Sequence, residues 1–299
     1  MNGVSVFHNE HEIIRAIYDK FHLRMEDGHI PIDLRAPSLI GTVQDDPFDC
    51  FICEMITSEF PTLEVTSSGK LTTPDIIVRD RSSGVIVGIE VKKLIQQPNG
   101  ADPRGLTMDY NSCLPCGTAL IRVGDSTVDI PCYYLFCLLS NDSKQIVTLI
   151  LMHGDFLNYD FNLHKEAKTA NKSDYGHGPY GEGSVRRRAM YTYPNPLNYK
   201  LKCFFGRKIF VLKEPDSQRL KLTTWVTHRI ERLDIYGNRF MYVIVENGQN
   251  SLSDSMVKDG VVPETVRDIF IACKKRKSKK RNSASMPRLD PPGQSTRST

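Results

Sequence analysis

The stretch of sequence that decides the fold is PDIIVRDRSSGVIVGIEVKK, which runs from Pro74 to Lys93. It contains two apolar runs, Ile76 to Val78 and Val85 to Ile89, separated by a polar segment that ends in Gly84. Asp, Ser and Gly favour tight turns, and glycine adopts a positive φ without steric cost. The pattern therefore predicts a β-hairpin that places Asp75 across the strand pair from Glu90.

Three charged residues sit at the ends of these apolar strands. Side chains alternate between the faces of a strand, so Glu90 and Lys92 share one face and the side chain of Val91 points to the other. Burying such charges unpaired among valine and isoleucine costs several kcal/mol each. Mg²⁺ removes that cost for carboxylates and usually needs only one or two of them. We therefore expect Asp75 and Glu90 to bind Mg²⁺, with the backbone carbonyl of Val91 free to join them.

The spacing of these residues resembles a known nuclease motif. Pro74-Asp75, fourteen further residues and then Glu90-Val91-Lys92 is similar to the motif of the PD-(D/E)xK nuclease superfamily, which includes most type II restriction endonucleases. The resemblance implies an α/β fold with a mixed central β-sheet flanked by helices, a restriction-endonuclease-like core and a C-terminal β-rich extension. It also implies Mg²⁺-dependent, sequence-specific cleavage of double-stranded DNA, in which Lys92 orients or deprotonates the attacking water.

A helix that carries a further acidic residue is predicted just before the hairpin. Asp46 is a good N-cap, Pro47 suits the first helical position, and an apolar stripe follows at helical spacing. The stripe consists of Phe48, Phe51, Ile52, Met55 and Ile56. Glu59 falls in the middle of this stripe. Family enzymes often carry a Glu on this helix, so Glu59 is a candidate accessory metal ligand or orienter of Lys92; the alternative is a Glu that reaches solvent from a frayed last turn.

The rest of the chain gives a coarse architecture. A helix is predicted from His8 to Leu23, and apolar strands are predicted from Cys132 to Leu139 and from Ile146 to Met152. A second hairpin is predicted at Val226 to Ile235 and Arg239 to Val245, with a terminal helix at Pro263 to Cys273. We expect one nuclease domain with DNA-recognition insertions over residues 1–272, followed by a disordered basic tail over residues 273–299.

The net charge of +4 is unevenly distributed along the chain. Residues 1–272 carry a net charge of −4, whereas the segment from Lys274 to Arg281 alone adds +7. Within the body, the stretch from Gly183 to Lys213 holds eight basic residues and no acidic ones, and a glycine-rich loop precedes it. Basic side chains on such a loop suit phosphate contacts and guanine recognition, although a solvated charged loop is the alternative. The predicted DNA contacts are Arg186, Arg187, Arg188, Lys200 and Lys202.

The eight cysteines are most simply reduced thiols in an intracellular protein. Two pairs have the CxxC spacing of zinc ligands, namely Cys50 with Cys53 and Cys113 with Cys116. The first pair lies within the predicted helix, whereas zinc knuckles prefer loops, so structural zinc is the weaker interpretation.

Composition and the ends of the sequence complete the expectations. No apolar run approaches the ~18 residues that span a bilayer, and the N-terminus lacks a signal-peptide pattern. We expect no membrane association and a cytoplasmic, nucleoid-associated prokaryotic protein. A palindromic target would favour a homodimer. Two alternatives remain open: a DNA repair nuclease or junction resolvase with the same centre, and a non-catalytic nucleic-acid-binding protein.

Overall fold

The architecture is taken from a computed structural model, which describes residues 6–40, 43–68, 73–99, 107–111, 116–158, 190–197, 204–233 and 237–247. The helices are α1 Glu10–Leu23, α2 Pro47–Glu59, α3 Asp155–Asn158 and α4 Glu214–Arg219, with a 3-10 turn at Thr223–Trp225. The strands are β1 Ile30–Pro31, β2 Leu39–Ile40, β3 Val43–Gln44, β4 Leu63–Ser67, β5 Ile76–Asp80, β6 Ile86–Ile95, β7 Thr107–Asn111, β8 Thr118–Val123, β9 Ser126–Leu139, β10 Gln145–His153, β11 Met190–Pro194, β12 Lys208–Lys213, β13 Val226–Leu233 and β14 Arg239–Val245.

In the described part of the chain, ten strands form one central sheet. Eight of them lie in the order β13-β14-β12-β10-β9-β6-β5-β4, while β1 pairs with β10 and β8 pairs with β9. Most neighbours are antiparallel, but β6 with β9 and β10 with β12 are parallel. The fold is therefore mixed α/β with a mostly antiparallel central sheet and few helices. The strands β7 and β11 form a separate two-stranded sheet, as do β2 and β3.

The core divides between the two faces of this sheet because side chains alternate along each strand. On one face, α1 and α2 bury apolar residues such as Ile17 and Ile52 against Ile89 and Val91 of β6. The other face contains Leu94 of β6, together with aromatic residues of β9 and of the segments that cover it. Strand β9 lies between β6 and β10, and its residues contribute alternately to the two core clusters. All its residues from Cys132 to Leu139 are therefore buried.

The elements predicted from hydrophobic patterns are confirmed in the described residues. The hairpin appears as β5 and β6, the two helices as α1 and α2, and Asp46 caps α2 by accepting a hydrogen bond from the Phe48 N–H. The second hairpin appears as β13 and β14. These two strands join the central sheet through β12, so the C-terminal β-rich part belongs to the same sheet. The helix predicted at Pro263 to Cys273 and the basic tail lie outside the described residues, and the division into domains stays a prediction.

The β5–β6 turn is held to the start of the described chain by the buried side chain of Asp80. Its Oδ2 accepts a hydrogen bond from the Phe7 N–H at 3.0 Å and another from the Ser83 hydroxyl. Its Oδ1 accepts from both the N–H and the hydroxyl of Ser82. Burial alone would raise the pKa of Asp80, but these hydrogen bonds hold it at about 2. One carboxylate thus fixes both the turn and the segment that leads into α1.

We predict that Asp80→Ala destabilises the protein clearly more than Asp142→Ala. Asp142 also accepts hydrogen bonds in a strand turn, but it is exposed and these partners, Ser140 and Lys144, are near it in sequence. Losing Asp80 leaves the buried Phe7 N–H without its acceptor, which costs on the order of 1–3 kcal/mol. Thermal unfolding of both variants measures the difference, and equal losses would contradict the anchoring role.

The pKa of Asp80 also predicts how the stability of the protein changes at acidic pH. The pKa of Asp80 is below its ordinary value of 3.8, so its ionised form contributes stability that is present above pH 3.8 and is lost as pH falls towards about 2. Asp80→Ala should therefore show a shallower loss of stability than the wild type over this range. A parallel acid titration of the two proteins, followed by circular dichroism, tests the direction.

Candidate metal centre

The backbone of the β5–β6 pair brings the predicted acidic residues together. Ile76 pairs with Ile89 across the two antiparallel strands, so Asp75, just before β5, comes opposite Glu90. Glu90 and Lys92 are two residues apart on β6 and therefore share one face of the sheet. The local arrangement expected for Asp75, Glu90 and Lys92 is present.

Close packing at Gly88 helps to set the position of Asp75. A Cβ atom at Gly88 would lie 2.6 Å from Cγ of Pro74 and 3.0 Å from its Cβ, closer than such atoms normally approach. A glycine within a strand often marks such a close approach. Because position 88 has no side chain, the segment that carries Asp75 can pack directly against β6.

Hydrogen bonds attach Asp75 to β6 and join Glu90 to Lys92 within that strand. The Val91 N–H donates a hydrogen bond to Oδ2 of Asp75 at 2.8 Å, and Lys92 Nζ donates to Oε1 of Glu90 in a close ion pair. The N–H and C=O of one strand residue leave the strand on the same side. The carbonyl of Val91 therefore also points to the side where Asp75 lies, which suits the ligand role predicted for it.

Burial strongly perturbs the two carboxyl groups. Burial, together with the charge of the nearby Asp75, raises the pKa of Glu90 to about 6, although Lys92 acts in the opposite direction. Burial likewise raises the pKa of Asp75 above its ordinary value, against the effects of Lys92 and of the hydrogen bond from Val91. Two carboxylates held close together with one lysine leave negative charge that is not fully compensated.

The pair of carboxylates fits a hard divalent cation. Among the described residues, Oε2 of Glu90 is buried without a hydrogen-bond partner, and an orphaned buried oxygen of this kind is costly. In the same part of the chain, no three His, Cys, Asp or Glu side chains converge as a ready-made metal cage. Mg²⁺ commonly binds one or two carboxylates and keeps several waters, so Asp75 and Glu90 match its needs.

The first turn of α2 carries Asp49, which interacts electrostatically with this centre. Burial, together with the charges of Asp46 and Asp75, raises the pKa of Asp49 to about 7, while Lys93 and Lys92 oppose this rise. These interactions place the first turn of α2 within electrostatic reach of the Asp75 and Lys92 side chains. Asp49 is thus a third carboxyl group associated with the site, and the sequence analysis missed it.

Glu59 lies at the opposite end of α2. Ten residues separate it from Asp49, which is about 15 Å along a helix axis. Its carboxylate forms ion pairs with Lys20 of α1 and with Arg24, the C-cap residue of α1, both at 2.9 Å. These hydrogen bonds hold the pKa of Glu59 below its ordinary value. The metal-ligand role predicted for Glu59 stays a prediction, and the partners of its carboxylate among the described residues are Lys20 and Arg24.

The basic stretch is only partly described. Arg186, Arg187, Arg188, Lys200 and Lys202 lie outside the described residues, so their DNA-binding role stays a prediction. Three later members of the stretch have contacts within the fold. Arg207 pairs with Glu246, Lys208 donates to the carbonyl of Gly28, and Lys213 pairs with Asp155.

Strand β11 closely follows the predicted DNA-binding residues Arg186, Arg187 and Arg188 in the sequence. It begins at Met190, two residues after Arg188, and pairs with β7. Strand β7 belongs to the connection between β6 and β8. The pairing therefore ties the chain that follows the arginines to the chain that leaves the strand bearing Glu90 and Lys92.

The cysteines give no support to a zinc site in the described residues. Cys50 and Cys53 lie on α2, and Cys116 is a partly buried free thiol. Cys113, the predicted partner of Cys116, lies outside the described residues.

Comparisons of this chain with known protein families, with curated proteins and with solved structures find no match. None of the helices in the described ranges combines the length and apolar character needed to cross a membrane. The geometry of the centre is therefore the basis for a functional assignment.

We predict opposite stability changes for Glu90→Gln and Glu59→Gln at pH 8 without divalent cations. Between pH 4.5 and about 6 the folded protein retains a proton on Glu90 that the unfolded chain has lost, so the free energy of unfolding falls as pH rises through this window. Glu90→Gln cannot ionise and therefore avoids this loss of stability. Its melting temperature should be a few degrees higher, since about 1 kcal/mol corresponds to about 2–4 °C. Glu59→Gln loses two ion pairs and should lower it.

Thermal melting in a chelator and again in Mg²⁺ checks this prediction. Mg²⁺ should stabilise the wild type and have little effect on Glu90→Gln. A Glu90→Gln protein that is destabilised as much as Glu59→Gln, or that responds to Mg²⁺ like the wild type, would contradict the assignment of Glu90 to the metal centre.

Proposed function

We propose that this protein is a Mg²⁺-dependent, sequence-specific endonuclease that hydrolyses phosphodiester bonds in double-stranded DNA and has a restriction-endonuclease-like core. The observation that carries the proposal is the grouping of Asp75, Glu90 and Lys92, with one Glu90 oxygen buried and unpaired among the described residues. A structural ion pair alone would not need a second carboxylate beside it. The mixed sheet, with β6 parallel to β9, agrees with the coarse architecture that the motif implies.

Each residue of the group has a distinct part in the proposed reaction. Asp75 is oriented by the Val91 N–H, and Glu90 has one buried oxygen without a hydrogen-bond partner among the described residues. A bound Mg²⁺ supplies Lewis acidity towards the phosphate and makes a coordinated water more acidic. Lys92, which contacts Glu90, is placed to orient or deprotonate the attacking water and to offset the charge that develops on the phosphate.

The basic stretch and a second copy of the chain complete the proposal. Arg186, Arg187, Arg188, Lys200 and Lys202 are proposed to contact DNA, because they concentrate positive charge in a body whose net charge is negative. A homodimer is proposed because a two-fold symmetric enzyme matches a palindromic site and cuts both strands.

We expect Asp75→Ala and Lys92→Ala each to lower the rate of DNA cleavage by at least about 100-fold, the usual minimum for a positioned acid–base group. DNA affinity should change little, because phosphate and groove contacts lie elsewhere. Incubation of phage DNA with each variant in Mg²⁺ measures cleavage, and gel-shift titration in Ca²⁺ measures binding. Lys144→Ala, on the exposed β9–β10 turn, is the matched lysine control.

The pattern of cleavage products distinguishes the proposed function from the alternative functions. Discrete fragments from phage DNA support a sequence-specific enzyme, whereas cleavage confined to branched DNA would indicate a junction resolvase or repair nuclease. Full activity in both Asp75→Ala and Lys92→Ala would rule out this centre. DNA binding without cleavage by the wild type in Mg²⁺ would indicate a non-catalytic binding protein.

The salt dependence of DNA binding tests the basic stretch. Each phosphate contact that is lost should reduce the slope of log affinity against log salt by about 0.9. Replacing Arg186, Arg187 and Arg188 together by alanine should therefore flatten the slope, and truncation after Cys273 is the control for the basic tail. A flatter slope only in the truncated protein would assign the electrostatic contacts to the tail.

A further inference from the structure

Strand β6 carries two consecutive lysines with different contacts. Lys92 contacts Glu90 on the face that holds the centre, whereas Lys93 reaches α2. We propose that Lys93 is a positioning residue that fastens the first turn of α2, and with it Asp49, beside the metal centre. This inference rests on the proposed nuclease function.

Within the described part of the chain, the ammonium group of Lys93 contacts the N-terminal end of α2. Its Nζ forms a close ion pair with Oδ1 of Asp46. The same oxygen accepts the capping hydrogen bond from the Phe48 N–H at 2.9 Å. The Lys93 ammonium also lies 5.7 Å from the centre of the Phe48 ring, within the range of a cation–π contact. Lys93 therefore contacts the residue that caps the helix and the ring that anchors it in the core.

The charges around the centre explain why such a fastening is needed. The charge of Asp46 raises the pKa of both Asp49 and Asp75, and the charge of Asp75 raises the pKa of Asp49. Lys92 is already paired with Glu90. Lys93 joins the acidic end of α2 to the strand carrying Glu90. Without it, repulsion from Asp75 favours movement of the helix end away from the strand.

Stability alone does not account for this ion pair. Partly exposed pairs contribute little to folding, and the Lys93 and Asp46 side chains are 26% and 41% exposed. The far end of α2 offers a matched comparison, because Lys20 forms a similarly exposed pair with Glu59. If Lys93 acts by positioning the first turn of α2 and not by stabilising the fold, loss of Lys93 should change metal binding and loss of Lys20 should not.

Four variants separate these roles. Lys93→Met removes the charge but keeps most of the side-chain volume, and Lys93→Arg keeps the charge. Asp46→Asn removes the partner's charge while preserving a good N-cap. Lys20→Met is the control at the other end of the helix. Calorimetric titration with Ca²⁺ alone measures metal affinity, and the Mg²⁺ concentration for half-maximal cleavage gives a second readout.

We expect Lys93→Met and Asp46→Asn each to weaken Ca²⁺ binding and raise the Mg²⁺ requirement by roughly 10-fold, as is usual for residues that orient metal ligands. A double variant that carries both Lys93→Met and Asp46→Asn should bind Ca²⁺ no more weakly than either single variant, because both substitutions remove the same interaction. Lys93→Arg should restore the wild-type values to within about twofold, and Lys20→Met should leave them unchanged.

The outcomes distinguish this inference from the proposed function. If Lys93→Met and Asp46→Asn bind Ca²⁺ as tightly as Lys20→Met while the wild type cleaves DNA, the positioning role is refuted and the nuclease assignment stands. The same conclusion follows if the effects of the two single variants simply add. If the wild type neither binds Ca²⁺ nor cleaves DNA in Mg²⁺, both the nuclease function and the role of Lys93 are refuted. Should Lys93→Met fail to fold, Asp46→Asn and Lys93→Arg still decide the question.

Discussion

Strand β6 pairs with a strand on each side and contributes residues to the core on both faces of the sheet. The rest of the site depends on this placement. Its antiparallel pairing with β5 brings Asp75 opposite Glu90, and its parallel pairing with β9 fixes it in the middle of the sheet. Alternation then assigns Glu90 and Lys92 to one face and Val91 to the other. A slip of one residue in register would move the charges to the face that packs against the apolar residues of α1 and α2.

The electrostatics of the centre follow from that placement. Glu90 is almost fully buried with Asp75 nearby, and a single lysine contacts it, so the pKa values of both carboxyl groups rise. Such a cluster costs stability in the absence of a cation. This cost distinguishes the Asp75 and Glu90 pair from the ion pairs formed by Glu59, whose ionised state is favoured by its partners. A protein under selection for stability alone would gain by replacing Glu90.

The sequence predicted the local structure of this region well, because short-range patterns determine it. The turn residues and apolar runs located β5 and β6, and the N-cap with its apolar stripe located α2. Periodicity could not show which end of α2 lies against the centre. It identified the face that carries Glu59, but the packing of α2 against the sheet decides that Asp49 is the acid associated with Asp75. Long-range contacts such as the bond from Phe7 to Asp80 were also invisible in the sequence.

The packing of Pro74 over Gly88 bears on how the chain can diverge. Most positions in β6 tolerate exchange among apolar residues of similar volume, but a side chain at position 88 would have to displace Pro74. In any relative with this hairpin, the residue at that position would therefore report whether the segment carrying Asp75 still packs against the strand. A relative with valine or isoleucine there could keep the sheet and every core residue, yet its acidic pair would have separated.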